Sequence, residues 1–175
     1  MSDSKGPSGR GAWVVAAIVL LAAFLATFAL WFQWRQTRRC LAFYGPDAAG
    51  RIQAADHVEL WDLGPGAEPA ALGPLRSRDI SGAQGLVHLR RGLVEDANFS
   101  WAERPPGSPP DRGWDIAIAF GSGSPPDDGR TVLVIDLDAA GGVIAVAGRT
   151  GELRLGRLGP ALRTWLADVR ESLGP

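Results

Sequence analysis

From Trp13 to Phe32 the chain runs WVVAAIVLLAAFLATFALWF, twenty residues in which Thr27 is the only polar member. A helix of that length spans about 30 Å, the hydrocarbon thickness of a bilayer. Trp13 stands at one end and Trp31 with Trp34 at the other, where an amphipathic indole prefers the headgroup region. Arg35, Arg38 and Arg39 follow as an interfacial stop, which makes these six residues the expected membrane-interface anchors. The pattern predicts a disordered tail over 1–12, a transmembrane helix over 13–34 and a soluble domain over 35–175. A cleaved signal peptide fits less well, because the apolar run continues past Thr27-Phe28-Ala29 through Leu30, Trp31 and Phe32. A soluble core helix apolar all round needs a larger protein around it. Cys40 follows Thr37-Arg38-Arg39, which is no lipidation box, and the run lacks the glutamate of a pilin-type assembly helix.

Beyond the arginines the apolar spacing changes from segment to segment. Gly45-Pro46 predicts a short helix through Ala55 that buries Ala48, Ala49 and Ile52. HVELWDL over 57–63 reads as a strand with Val58 and Leu60 on one face and Trp61 and Leu63 on the other. A Gly/Pro-rich loop is expected from there to about Arg78. Ser81 with Gln84 three residues later has the form of a capping box, opening a helix on Leu86, Leu89, Leu93 and Ala97. ERPPGSPPDRG, about 103–113, carries four prolines and is expected to be a loop between a helical and a strand-rich half.

WDIAIAF over 114–120 alternates as a half-buried strand, with Trp114, Ile116, Ile118 and Phe120 facing one core. Thr131–Leu137, Val143–Ala147 and Glu152–Leu158 follow as strands whose short connections imply antiparallel pairing. Gly159-Pro160 starts a last helix with Leu162, Trp165, Leu166, Val169 and Leu173 in one stripe. The expected fold class is α+β: one transmembrane helix, then a small domain with an antiparallel sheet of four to five strands and about three helices on one face.

Composition narrows the function classes. A formal net charge of -1 and the absence of a basic stripe beyond the juxtamembrane arginines argue against nucleic acid as a partner. Cys40 is the only cysteine, so it has no disulfide partner within the chain and no multi-thiolate metal site is available. Lys5 is the only lysine, leaving arginine as 17 of the 18 basic residues, which reads as the codon bias of a GC-rich bacterial genome.

His57 and His88 are the only histidines, and neither sits in a nucleophile motif. Asp136 with Asp138 and the pair Asp127-Asp128 lack further oxygen ligands nearby, and Glu95-Asp96 reads as a solvated helix end. Gly121-Ser122-Gly123-Ser124 lacks the lysine of a phosphate loop. No catalytic, cofactor-binding or metal residues are therefore assigned, and no cofactor is expected.

The lipid bilayer is an expected partner, beside a protein partner that these residues do not identify, and the function expected is that of a single-pass inner-membrane protein with an interaction or accessory module. Two alternatives stand beside it: a tethered hydrolase or transferase using His57 or His88 with a nearby carboxylate, and a domain that contacts anionic lipid through its juxtamembrane arginines. Lys5, Arg10 and the terminal amine against Arg35, Arg38, Arg39 and Arg51 lean the domain toward the cytoplasm. The general tendency of a short N-terminal tail to stay inside pulls the other way.

Overall fold

The structure, a computed structural model, describes residues 9–63, 74–101, 113–121, 129–138 and 141–172. The chain divides into two compact units, Met1–Gln36 and Thr37–Pro175. Helix α1 is Gly9–Tyr44, so it begins before Trp13 and continues past Trp34. In the first unit every large apolar side chain from Trp13 to Trp34 is 47% to 79% exposed. Thr27 turns its hydroxyl back to the Ala23 carbonyl at 2.9 Å, which removes the only side-chain polarity in the run from its surface. Phe24, Phe28 and Phe32 stack at four-residue spacing, with centroids 6.4 Å apart at each step.

The second unit is α+β, built on a six-stranded, wholly antiparallel sheet in the order β2-β1-β3-β4-β5-β6. The strands are β1 (His57–Asp62), β2 (Arg76–Asp79), β3 (Ile116–Gly121), β4 (Thr131–Asp136), β5 (Val143–Val146) and β6 (Glu152–Arg154). Six strands exceed the four to five expected. The extra one is β2, RSRD, placed by the sequence in a loop. Its failure to alternate has a physical reason: it is an exposed edge strand, and charged edges hinder pairing with other chains.

Helices α2 (Pro46–Ala54), α3 (Leu86–Leu93) and α4 (Leu158–Ser172) lie on one face, as expected. Ala48, Ala49 and Ile52 of α2, Leu86, Leu89 and Leu93 of α3, and Leu162, Leu166 and Val169 of α4 join one core with Val58, Leu60, Ile116, Ile118, Phe120, Leu133 and Ile135. Among the described residues, a second core on the opposite face comes from strands and their ends: Trp61, Leu63, Trp114, Ala117, Ala119, Val134, Val143 and Ala145. The two-faced reading of β1 therefore holds.

The reading of β3 as half-buried does not, because all six of its residues are buried. Trp114 also changes sides. The strand starts only at Ile116, which frees Trp114 from the alternation and lets its ring join Ala117 and Ala119.

Two helix starts move as well. No capping box forms at Ser81; α3 begins at Leu86 after Gly85, whose φ of +84° suits glycine and whose Cα lies against the Trp165 indole. Ala97 falls in a 3-10 turn, Asp96–Asn98, beyond the helix end. Leu158, expected in a strand, is the first residue of α4. The proline-rich segment lies outside the described residues except for Gly113, and residues 1–8, 122–128 and Leu173 also lie outside them.

Ile118, wholly buried at the centre of the sheet, gives a measure of this packing. Ile118→Ala is expected to destabilise the domain by about 2–5 kcal/mol, and Val87→Ala, on an exposed side chain, by within about 0.5 kcal/mol. Denaturant titration of the full chain in neutral detergent measures both.

Candidate functional site

The six residues expected as anchors fall on both units. Trp13, Trp31, Trp34 and Arg35 are exposed along the first, where the Arg35 guanidinium sits 5.4 Å from the Trp31 ring centroid. Arg38 and Arg39 belong to the second and are also exposed.

The last turns of α1 are built into the domain. Cys40 and Tyr44 are fully buried in the main core, and Phe43 packs against it. The Asp96 carboxylate accepts the backbone amides of Arg39 at 3.0 Å and Cys40 at 2.8 Å. Amides inside a helix ordinarily point along the axis to carbonyls four residues back, and two consecutive amides on a foreign carboxylate resemble the first turn of a helix being capped. At the other end Arg149 donates to the Tyr44 carbonyl.

Gly45 then turns the chain into α2 with φ +76°, and a Cβ there would meet Arg149 at 2.9 Å. Trp101 completes the joint: its indole donates to the Asp96 carbonyl at 2.7 Å, its ring meets Phe99 edge-on at 6.0 Å, and the Arg39 guanidinium lies 5.8 Å above its centroid. Reading Glu95-Asp96 as a solvated helix end missed this role. The signal is a contact across 57 positions of sequence, which no local pattern carries.

A second polar group gathers on the helix-free face at the β1–β2 edge. Alternation along β1 sends His57, Glu59 and Trp61 to this face, away from Val58 and Leu60. Glu59 accepts from Trp61 Nε1 at 2.7 Å and Arg130 at 3.5 Å, and meets His57 Nε2 at 2.9 Å. Partial burial opposes its ionisation, but His57, Trp61 and Arg130 together outweigh that and hold its carboxyl below the usual range.

Ser81 Oγ lies 3.5 Å from His57 Nδ1. The outline is that of a hydroxyl, an imidazole and a carboxylate. The serine proton, however, goes to Asp79 at 2.6 Å, while its oxygen accepts the Val58 amide at 2.9 Å. Hydrogen bonds from the Ser81 hydroxyl and amide hold the exposed Asp79 carboxyl low. Ser81 thus fastens the end of β2 to β1, and His57 bridges toward two carboxylates, with Asp79 at 3.8 Å.

His88 is exposed on α3, while its neighbour Arg90 donates to the Ala55 carbonyl at 2.6 Å and so caps the end of α2. Asp136 accepts the Asp138 amide at 2.9 Å, an aspartate turn. Among the described residues no group of three or more His, Cys, Asp or Glu is placed to hold a metal ion. An open cavity of about 510 Å³ is lined by Asp47, Gly50 and Arg51 of α2 and by Asp56, Gly121 and Gly129, but by none of His57, Glu59 or Ser81.

Both clusters give tests. Because the folded Glu59 pKa is depressed, its contribution is complete above the ordinary glutamate value of about 4.3 and is lost as pH falls through the lower folded value. Glu59→Gln should therefore lower stability at neutral pH and converge with the wild type in acid, read from denaturation midpoints across pH. At the joint, hydrogen bonds to a charged group contribute about 1.5–3 kcal/mol, so Asp96→Ala should raise the rate at which maleimide labels Cys40 by roughly tenfold or more. Asp62→Asn, which breaks the exposed ion pair with Arg170, serves as the control with an unchanged rate. No family model matches the chain, and neither a curated protein nor a solved structure does, so the functional reading rests on its own residues.

Proposed function

We propose that this is a single-pass membrane-anchored protein whose α+β domain serves as an interaction or accessory module at the bilayer surface. The observation that carries the reading is the apolar face of α1: its most apolar window has a mean hydropathy of 2.6 and none of it is buried. Leaving that surface in water is costly at about 25 cal/mol per Å², and a bilayer removes the cost. The indoles at Trp13, Trp31 and Trp34 and the arginines after them are distributed as headgroup anchors. The apolar run continues past Ala29 through Leu30, Trp31 and Phe32, longer than a signal-peptide core, which favours an anchor that is retained. Arginine counts favour the cytoplasmic side of a bacterial inner membrane.

A membrane-tethered enzyme is the second reading, favoured by His57 within 2.9 Å of Glu59 beside Ser81. It predicts that His57→Gln abolishes the protein's cellular role while leaving its folding intact, whereas His88→Gln has no effect; an unchanged phenotype in both variants ends it.

An N-terminally tagged full chain is expected to stay in the membrane pellet after alkaline carbonate extraction and to keep its tag. Release into the supernatant would refute anchoring, and loss of the tag would identify a cleaved leader. A C-terminal reporter active only in the cytoplasm is expected to be on, and one active only after export to be off.

A further inference from the structure

We propose that Arg39, whose guanidinium lies over the Trp101 ring, binds the phosphate of an anionic glycerophospholipid headgroup. The inference rests on the membrane reading above and names the lipid partner of its juxtamembrane end. Trp101 is held in place from two directions, by its N–H on the Asp96 carbonyl at 2.7 Å and by Phe99 against its ring. Arg39 is held from two directions as well, by its amide on the Asp96 carboxylate at 3.0 Å and by its guanidinium over the indole at 5.8 Å.

A guanidinium in cation–π contact with an indole keeps N–H donors for a further ligand, and its planar fork receives a phosphate through two parallel hydrogen bonds. Asp96 meets Arg39 through the backbone, its two oxygens accepting the amides of Arg39 and Cys40. Glu95, next to it, is hydrogen-bonded by Asn98 at 3.4 Å. Among the described residues the Arg39 guanidinium has no carboxylate partner and is exposed.

The location selects the source of the phosphate. Arg39 follows Phe32, the last residue of the apolar run, by seven positions, a chain reach of at most about 25 Å, so a bilayer that accepts the run offers its headgroups first. An anionic leaflet adds a further attraction for the cation. Ordinary surface arginines pay side-chain entropy on binding; this one is already ordered by its contact with the Trp101 ring and by its backbone.

The test uses the full chain in phosphatidylcholine nanodiscs, with a minor fraction of either phosphatidylglycerol or phosphatidylcholine carrying a nitroxide at the top of the acyl chain. The Trp101 signal is the fluorescence difference between wild type and Trp101→Phe. Labelled phosphatidylglycerol is expected to quench that signal more than labelled phosphatidylcholine by roughly fivefold, the preference of about one arginine at an anionic surface. High salt and Arg39→Gln are expected to abolish the preference, while Arg91→Gln, an exposed arginine of α3, keeps it.

Equal quenching by the two lipids, or a preference unchanged in Arg39→Gln, overturns the proposal. Abolition of the preference by inorganic phosphate at constant ionic strength identifies a site for free anions and also overturns it. A chain that never enters nanodiscs and is released by carbonate fails the membrane reading itself, a different result from a chain that enters and shows no lipid preference.

Discussion

A helix whose end is built into a folded domain must leave no buried backbone polar group stranded there. Inside the apolar run the helix satisfies its own amides and carbonyls, and Thr27 adds its hydroxyl to that internal account. At Arg39 and Cys40 the acceptor is Asp96, and at Tyr44 the donor is Arg149. These contacts come from segments far away in sequence, so the last turns of α1 take on their form together with the domain. The burial of Cys40, Tyr44, Ala48 and Ile52 follows from that closure, because each lies on the chain between Asp96's contacts and the start of β1.

The sheet is unusual for an antiparallel one in being buried on both faces at its centre. β3 carries large residues toward the helices and small ones away from them, Ile116, Ile118 and Phe120 against Ala117 and Ala119, while β4 sets Leu133 and Ile135 against Val134. Antiparallel sheets commonly keep one face wet. Here the second face has Trp61 and Trp114 over an alanine and valine floor, with the Glu59 network at one corner. Glu59 can remain ionised beside that floor because three donors replace the water it loses.

Where a segment's own pattern decides its structure, the sequence was readable. The apolar run, the two faces of β1, the β4–β5 hairpin and the stripe of α4 all follow from periodicity in long or strongly alternating stretches. β2 was not readable, since RSRD has no apolar residue to mark a face. Ser81 and Gln84 imitate a helix start, yet the hydroxyl is used by Asp79 and Val58, and the turn at Gly85 sets the boundary. Trp114 escapes its apparent alternation because three residues before β3 follow no strand geometry. The contacts of Arg39 had no local signal, since the partners that order it, Asp96 and Trp101, are 57 and 62 positions away.

The polar edge at β2 acquires a further meaning when two copies of the chain meet. Ile80 donates its amide to Val58, so alternation turns the amides of Arg76 and Arg78 toward β1 and those of Ser77 and Asp79 outward. Two copies joining these edges antiparallel about a two-fold axis must match outward residue to outward residue. Ser77 against Ser77 sets Arg76 opposite Arg78, Ser77 against Asp79 sets Arg78 opposite itself, and Asp79 against Asp79 is a like pair outright. Each register places like charges directly across, which is destabilising. Encounters between copies rise with their concentration, and four residues of charge pattern keep those encounters from becoming a continuous sheet.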